Sequence, residues 1–230
     1  MQFGADNLFK RLRSVLVAKP INYDIDTPIN IWQEKYAGQI DKDLALKQFE
    51  DMIEVLEKAG VKCHFLDPIR GATEQKDTRD IGVISSKGAI AGHFKKDIRM
   101  GEVASFIKFC TENGIPLLKY GIPFEGGDFF FIDEKQCLVG IGRRSEIRAN
   151  EIESLLNRKV ELIHHVTSHH LDVVFNIVSP NLVVAHKKYF AEQDYLKDKD
   201  IIELTDEDAW NMSANFLLLE ENRVLADSNC

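Results

Sequence analysis

The stretch DFFFIDEKQCLVG at residues 128–140 decides the fold. An apolar run meets a polar turn, DEKQ, and a second apolar run follows, which is how a hairpin of two antiparallel strands is written in sequence. The same pattern recurs in DIGVISSKGAIAG (80–92), DVVFNIVSPNLVVAH (172–186) and NFLLLEENRVLAD (215–227). Each copy opens on a polar residue, and the leaders Asp80, Asp128, Asp172 and Asn215 stand 48, 44 and 43 residues apart. After the first two hairpins come amphipathic helical stretches, MGEVASFIKFCTENG and SEIRANEIESLLNR; the third copy offers the shorter YFAEQDYLKDKD. A further strand closes each unit in turn, in IPLLKYG, VELIHHV and IIELT. The unit is therefore ββαβ at a period of about 45 residues, in the range of repeat architectures.

The N-terminal part holds a partial copy: a strand in SVLVAKP, a helix in DLALKQFEDMIEVLEKAG ending at Gly60, and a closing strand in VKCHFLDP. NYDIDTPINIWQEKYAGQI occupies the place of a second strand, and the last copy stops after its hairpin. The expected architecture is an α/β pseudo-fivefold ring in one domain, 1–230, with modules at roughly 14–79, 80–127, 128–171, 172–214 and an incomplete 215–230. Polar leaders at equivalent positions then face one axis, and the unpaired edge of SVLVAKP predicts either aggregation or self-association as a homodimer.

Composition narrows the function classes. The chain carries a net charge of −8 with its Lys and Arg scattered, which disfavours a nucleic-acid partner. No apolar run approaches the roughly 20 residues that span a bilayer, so no membrane segment is expected. Cys63, Cys110, Cys137 and Cys230 form no CxxC pair, and three of them fall in expected strands or helices, as buried free thiols do. A cytoplasmic location follows as the expectation.

HHVTSHHLDVVF at 164–175 poses the sharpest chemical question, with four histidines in seven residues. On an extended strand His164 and His165 point to opposite faces, so the four do not converge on one metal ion, and no metal or other cofactor is expected. His164 and His165 read as one core and one surface histidine. His170 and Asp172, two apart on a strand, are expected to leave from one face. EGGD at 125–128 reads either as a tight entry beside a ligand, its glycines admitting close approach, or as a plain turn with a solvated Glu125. Asp80, Glu125, Asp172 and His170 about one axis select a planar cation, because carboxylates accept the forked N–H donors of a guanidinium in pairs. A small guanidino compound such as arginine is the expected substrate.

TRDIGV (78–83), RMGE (99–102), FEGGDFFF (124–131), GIGRRSE (140–146) and HLDVVFNIV (170–178) together resemble the guanidino-group-modifying enzymes. That superfamily comprises arginine deiminases, dimethylarginine dimethylaminohydrolases and amidinotransferases, and the arginine deiminase-like members are nearest by these motifs. The resemblance implies the pentein fold, an α/β-propeller. It implies that Asp80 and Asp172 hold guanidinium nitrogens, that His170 is the general acid/base, and that Glu125 pairs with the guanidinium or with the histidine. Arg99 and Arg144 fall where members bind a substrate carboxylate, and Asp128 and Arg79 are expected behind the residues that touch substrate. HLD in place of HLK leans toward deiminase or amidinotransferase and away from the dimethylarginine enzymes. Asp77 stands where many relatives have a phenylalanine.

In this superfamily a cysteine after a glycine-rich turn attacks the guanidinium carbon, and water or an amine resolves the adduct. The sequence holds no such motif, and Cys230 follows LADSN. Extending the repeat puts the next leader about 45 residues past Asn215. The expectation is a nucleophile beyond residue 230, with the 230-residue chain itself inactive. The competing expectations are an amidinotransferase and a pentein that binds without catalysis.

Overall fold

A computed structural model describes residues 3–167, 169–190 and 193–227. They divide into two compact units, Met1–Phe3 with Arg13–Ile122, and Gly4–Leu12 with Pro123–Cys230. Among the described residues the strands form five small sheets, none of them closed.

In the first unit β1 (Ser14–Val17) runs parallel to β2 (Lys62–Phe65). Between them lie α1 (Ile31–Tyr36), capped by the Asn30 side chain, and α2 (Lys42–Lys58), capped by Asp41 accepting from the Leu44 N–H. The second sheet is β3 (Gly82–Ser85) antiparallel to β4 (Gly88–Gly92), with β5 (Leu117–Ile122) added parallel after α3 (Met100–Glu112). Every residue of β4 is buried, which is why GAIAG carries no polar side chain. Ile81, Ala89, Ala91, Phe94, Phe106 and Cys110 are among the side chains of this unit's core.

The second unit repeats the arrangement. β6 (Phe129–Phe131) pairs antiparallel with β7 (Gln136–Ile141), and β8 (Lys159–His164) joins in parallel after α4 (Ala149–Leu156). β9 (Phe175–Ser179) and β10 (Leu182–Ala185) form the next hairpin, with β11 (Asp200–Glu203) parallel to β10. Their connection holds two 3-10 turns, Lys187–Tyr189 and Asp194–Leu196, in place of an α-helix. α5 (Asp206–Trp210) starts in a capping box of Thr205 and Asp208, and β12 (Leu217–Glu220) pairs with β13 (Arg223–Leu225). Leu138, Ile163, Leu171, Phe175, Ile177 and Val183 are fully buried in this unit's core. Each such side chain contributes about 1.5–3 kcal/mol of burial.

The ββαβ reading therefore corresponds to real sheets and hairpins. Cys63, Cys110 and Cys137 are free thiols in β2, α3 and β7, and Cys230 lies outside the described residues. Among the described residues no helix is long and apolar enough to cross a membrane.

Candidate active site

The leaders are not strand residues, as the sequence pattern implied. Thr78–Ile81, Gly126–Asp128 and Leu171–Val173 are 3-10 turns that feed the hairpins. The expectation that His170 and Asp172 share a face because both lie on an extended strand is thus corrected. His170 is extended and caps the turn, whereas Asp172 sits inside it. The physical reason is a backbone hydrogen bond from the Val174 N–H to the Leu171 carbonyl, which a straight strand cannot make. Asp80, Asp128 and Asp172 are all buried within these turns.

In the second unit the turns bring Glu125 and His170 together. Glu125 is fully buried, and its Oε2 lies 2.6 Å from His170 Nε2, a charge-assisted hydrogen bond. With an ionised carboxylate, which only accepts, Nε2 is the donor of this bond. Gly127 is what admits the ring: a Cβ there would stand 2.8 Å from His170 Cγ. The close approach inferred for EGGD is real, and it serves His170. The buried Arg144 guanidinium reaches His169 Nδ1 from Nη2 at 3.3 Å and stands 3.6 Å from Glu125 Oε1 through Nη1. The rings of His169 and His170 are 4.2 Å apart. Asp172 is 4% exposed.

The remaining histidines divide as expected, His165 buried and His164 exposed. His165 Nε2 lies 3.2 Å from Asp128 Oδ1, and the Thr167 hydroxyl lies 2.9 Å from its Nδ1. The cluster HHVTSHH thus serves several different partners: Asp128 and Thr167 for His165, Arg144 for His169, Glu125 for His170.

In the first unit Arg99 is almost fully buried and fully engaged. Its Nη1 donates to Asp80 Oδ2 at 2.6 Å, its Nη2 to Glu102 Oε2 at 2.9 Å and to the Glu74 carbonyl at 3.4 Å. The guanidinium also lies over the Phe94 ring at 4.2 Å. Asp80 is therefore anchored by Arg99, while its neighbour Arg79 is exposed. Burial pushes the Glu102 carboxyl up, against the pull of Arg99. Burial pushes the Glu74 carboxyl up to about 7, with Lys76 opposing. Sequence reasoning missed both acids. Glu102 carried a signal, being three residues after Arg99 at the start of a helix. Glu74 sits in a loop, where no periodicity marks it.

Burial raises the thiols of Cys110 and Cys137 to about 11 and moves that of Cys63 in the same direction. None of these three is a thiolate at neutral pH.

The family model described as N,N dimethylarginine dimethylhydrolase, eukaryotic, matches residues 20–229. The uncharacterized protein YkgA of Bacillus subtilis is 28% identical over 223 residues, covering 94% of this chain and 78% of YkgA. The bifunctional arginine dihydrolase/ornithine cyclodeaminase ArgZ of Synechocystis is 27% identical over 168 residues, covering 70% of this chain and 24% of ArgZ. The N-terminal domain of ArgZ, covalently bound to a reaction intermediate, superposes with a TM-score of 0.83 at 23% identity, over 90% of this chain and 80% of that one. DDAH from Pseudomonas aeruginosa, a cysteine-to-serine mutant with citrulline, gives 0.74 at 19% identity, over 94% and 84%. These likenesses show the α/β fold of the DDAH-like pentein structures. The chain belongs to the N,N-dimethylarginine dimethylhydrolase family, within the guanidino-group-modifying superfamily. The family is named for dimethylarginine, against the direction in which the HLD motif leans.

Proposed function

We propose that this member of a guanidino-group hydrolase family cleaves a C–N bond of arginine or a related guanidino compound. The buried Glu125–His170 pair carries the reading. A buried carboxylate held against a histidine keeps an imidazole oriented and ready to exchange a proton, which hydrolysis of a guanidinium needs twice. A thiolate adds to the guanidinium carbon, and His170 protonates the departing nitrogen as the C–N bond breaks. His170 then takes a proton from the water that attacks the amidino-thioether, and the thiol is released as the carbonyl forms. Glu125 holds the ring through both transfers. Asp172 accepts from guanidinium N–H groups; in the first unit Arg99 holds Asp80.

The thiols raised by burial support a nucleophile other than Cys63, Cys110 or Cys137. The family resemblance makes the nucleophile a cysteine after a glycine-rich turn, a setting that none of these three thiols has. The test uses L-arginine and N,N-dimethylarginine as substrates, with and without glycine as an acceptor amine. Release of ammonia or dimethylamine with a ureido product supports the hydrolase. Amidino transfer to glycine would make it a transferase, and no turnover of either substrate would refute the reading.

A further inference from the structure

Asp128 is fully buried, and its carboxylate holds three polar groups of the second unit. Its Oδ1 accepts the Leu171 backbone N–H at 2.6 Å and lies 3.2 Å from His165 Nε2. Its Oδ2 accepts from the Ser145 hydroxyl at 2.5 Å. The Ser145 oxygen in turn accepts the Glu125 backbone N–H at 3.1 Å. One carboxylate is therefore tied to both halves of the Glu125–His170 pair, to Glu125 through Ser145 and to His170 through the next residue in the chain.

We infer that Asp128 is a positioning residue that sets the Glu125 carboxylate against the His170 ring through these two backbone N–H groups. The inference rests on the proposed acid/base role of that pair. Three observations carry it. The Gly126–Asp128 and Leu171–Val173 turns belong to successive hairpins, and the Asp128–Leu171 bond is a side-chain tether between them, independent of any sheet ladder. Space for the tether is built in, since a Cβ at Gly140 would stand 2.8 Å from Asp128 Oδ1 and 2.9 Å from Leu171 Cβ. His165 and Thr167 hold the other side: Thr167 Oγ1 donates to the His169 carbonyl at 3.0 Å and lies 2.9 Å from His165 Nδ1. The segment leading into His170 is thereby fixed on the same carboxylate. A proton-transfer pair tolerates little misplacement, and a shift on the order of 1 Å costs about 100-fold in rate.

The experiment compares wild type, Ser145→Ala and Asp128→Asn. Ser145→Ala changes no charge and alters neither side chain of the pair, removing only the acceptor of the Glu125 backbone N–H, so any effect on His170 comes through geometry. The first readout is the downfield imidazole N–H proton of His170 in the 230-residue chain, assigned by its disappearance in His170→Ala. The wild type is expected to show it, and Ser145→Ala to lose it or move it upfield. The second is steady-state kinetics, where kcat falls about tenfold or more with KM changed less than about twofold. A folded Ser145→Ala with the wild-type resonance overturns the inference, and so does a wild type without that resonance. Should Asp128→Asn fail to fold, Ser145→Ala still decides. Should no guanidino compound be turned over, the proposed function fails, while the resonance still decides the positioning role.

Discussion

Glu74→Gln should stabilise the first unit in alkaline solution and do little in acid. Glu74 is buried beside the Arg99 cluster, and burial lifts its carboxyl from 4.5 to about 7. A carboxyl raised in the folded state binds its proton more tightly there than in the unfolded chain. Its contribution is therefore fully present below about pH 4.5 and is lost as the pH rises through about 7. The gap corresponds to about 3 kcal/mol by pH 8.5, at about 1.4 kcal/mol per pH unit. Glutamine keeps the shape and removes the ionisation, so the variant avoids that loss. Urea unfolding at pH 4.5 and pH 8.5 measures it. The variant should match wild type within about 1 kcal/mol at the lower pH and exceed it by about 1–3 kcal/mol at the higher. An equal difference at both pH values, or a variant weaker at pH 8.5, would refute the reasoning.

Gly127→Ala should cost turnover by about 10–100-fold, because its Cβ would meet the His170 ring at 2.8 Å; unchanged kcat would sink the close-packing argument. Arg99→Met should lower stability by about 3–5 kcal/mol, leaving Asp80 and Glu102 buried without their cation, and thermal unfolding within a few degrees of wild type would contradict it. Asp172→Asn should weaken arginine binding about tenfold or more by calorimetry, since it removes one charged acceptor for a guanidinium fork; equal affinity would remove Asp172 from the site.

The modules could be read because each hairpin is an apolar run, a polar turn and an apolar run, and β4 and β7 are buried along their lengths. The leader turns could not. A 3-10 turn of three residues such as Leu171–Val173 has no period to detect, and LDVVF reads as plain strand. α1 escaped for a similar reason: six residues with one buried side chain give no amphipathic stripe, and only the Asn30 cap marked it. In the site, Glu125, His170 and Asp172 stood out by residue type. Their supports did not, because Ser145 and Thr167 act through single hydrogen bonds that no spacing encodes. Arg99 stood out through the resemblance, as a residue expected on a substrate carboxylate, but its partner Glu102 was visible only once the helix start was known.

The most direct test is the protein carrying His170→Ala, assayed for both arginine binding and product release. The account predicts binding within about threefold of wild type and turnover reduced by about 100-fold or more, the range lost with a general acid/base. Product release at the wild-type rate would show that the Glu125–His170 pair moves no proton in the reaction.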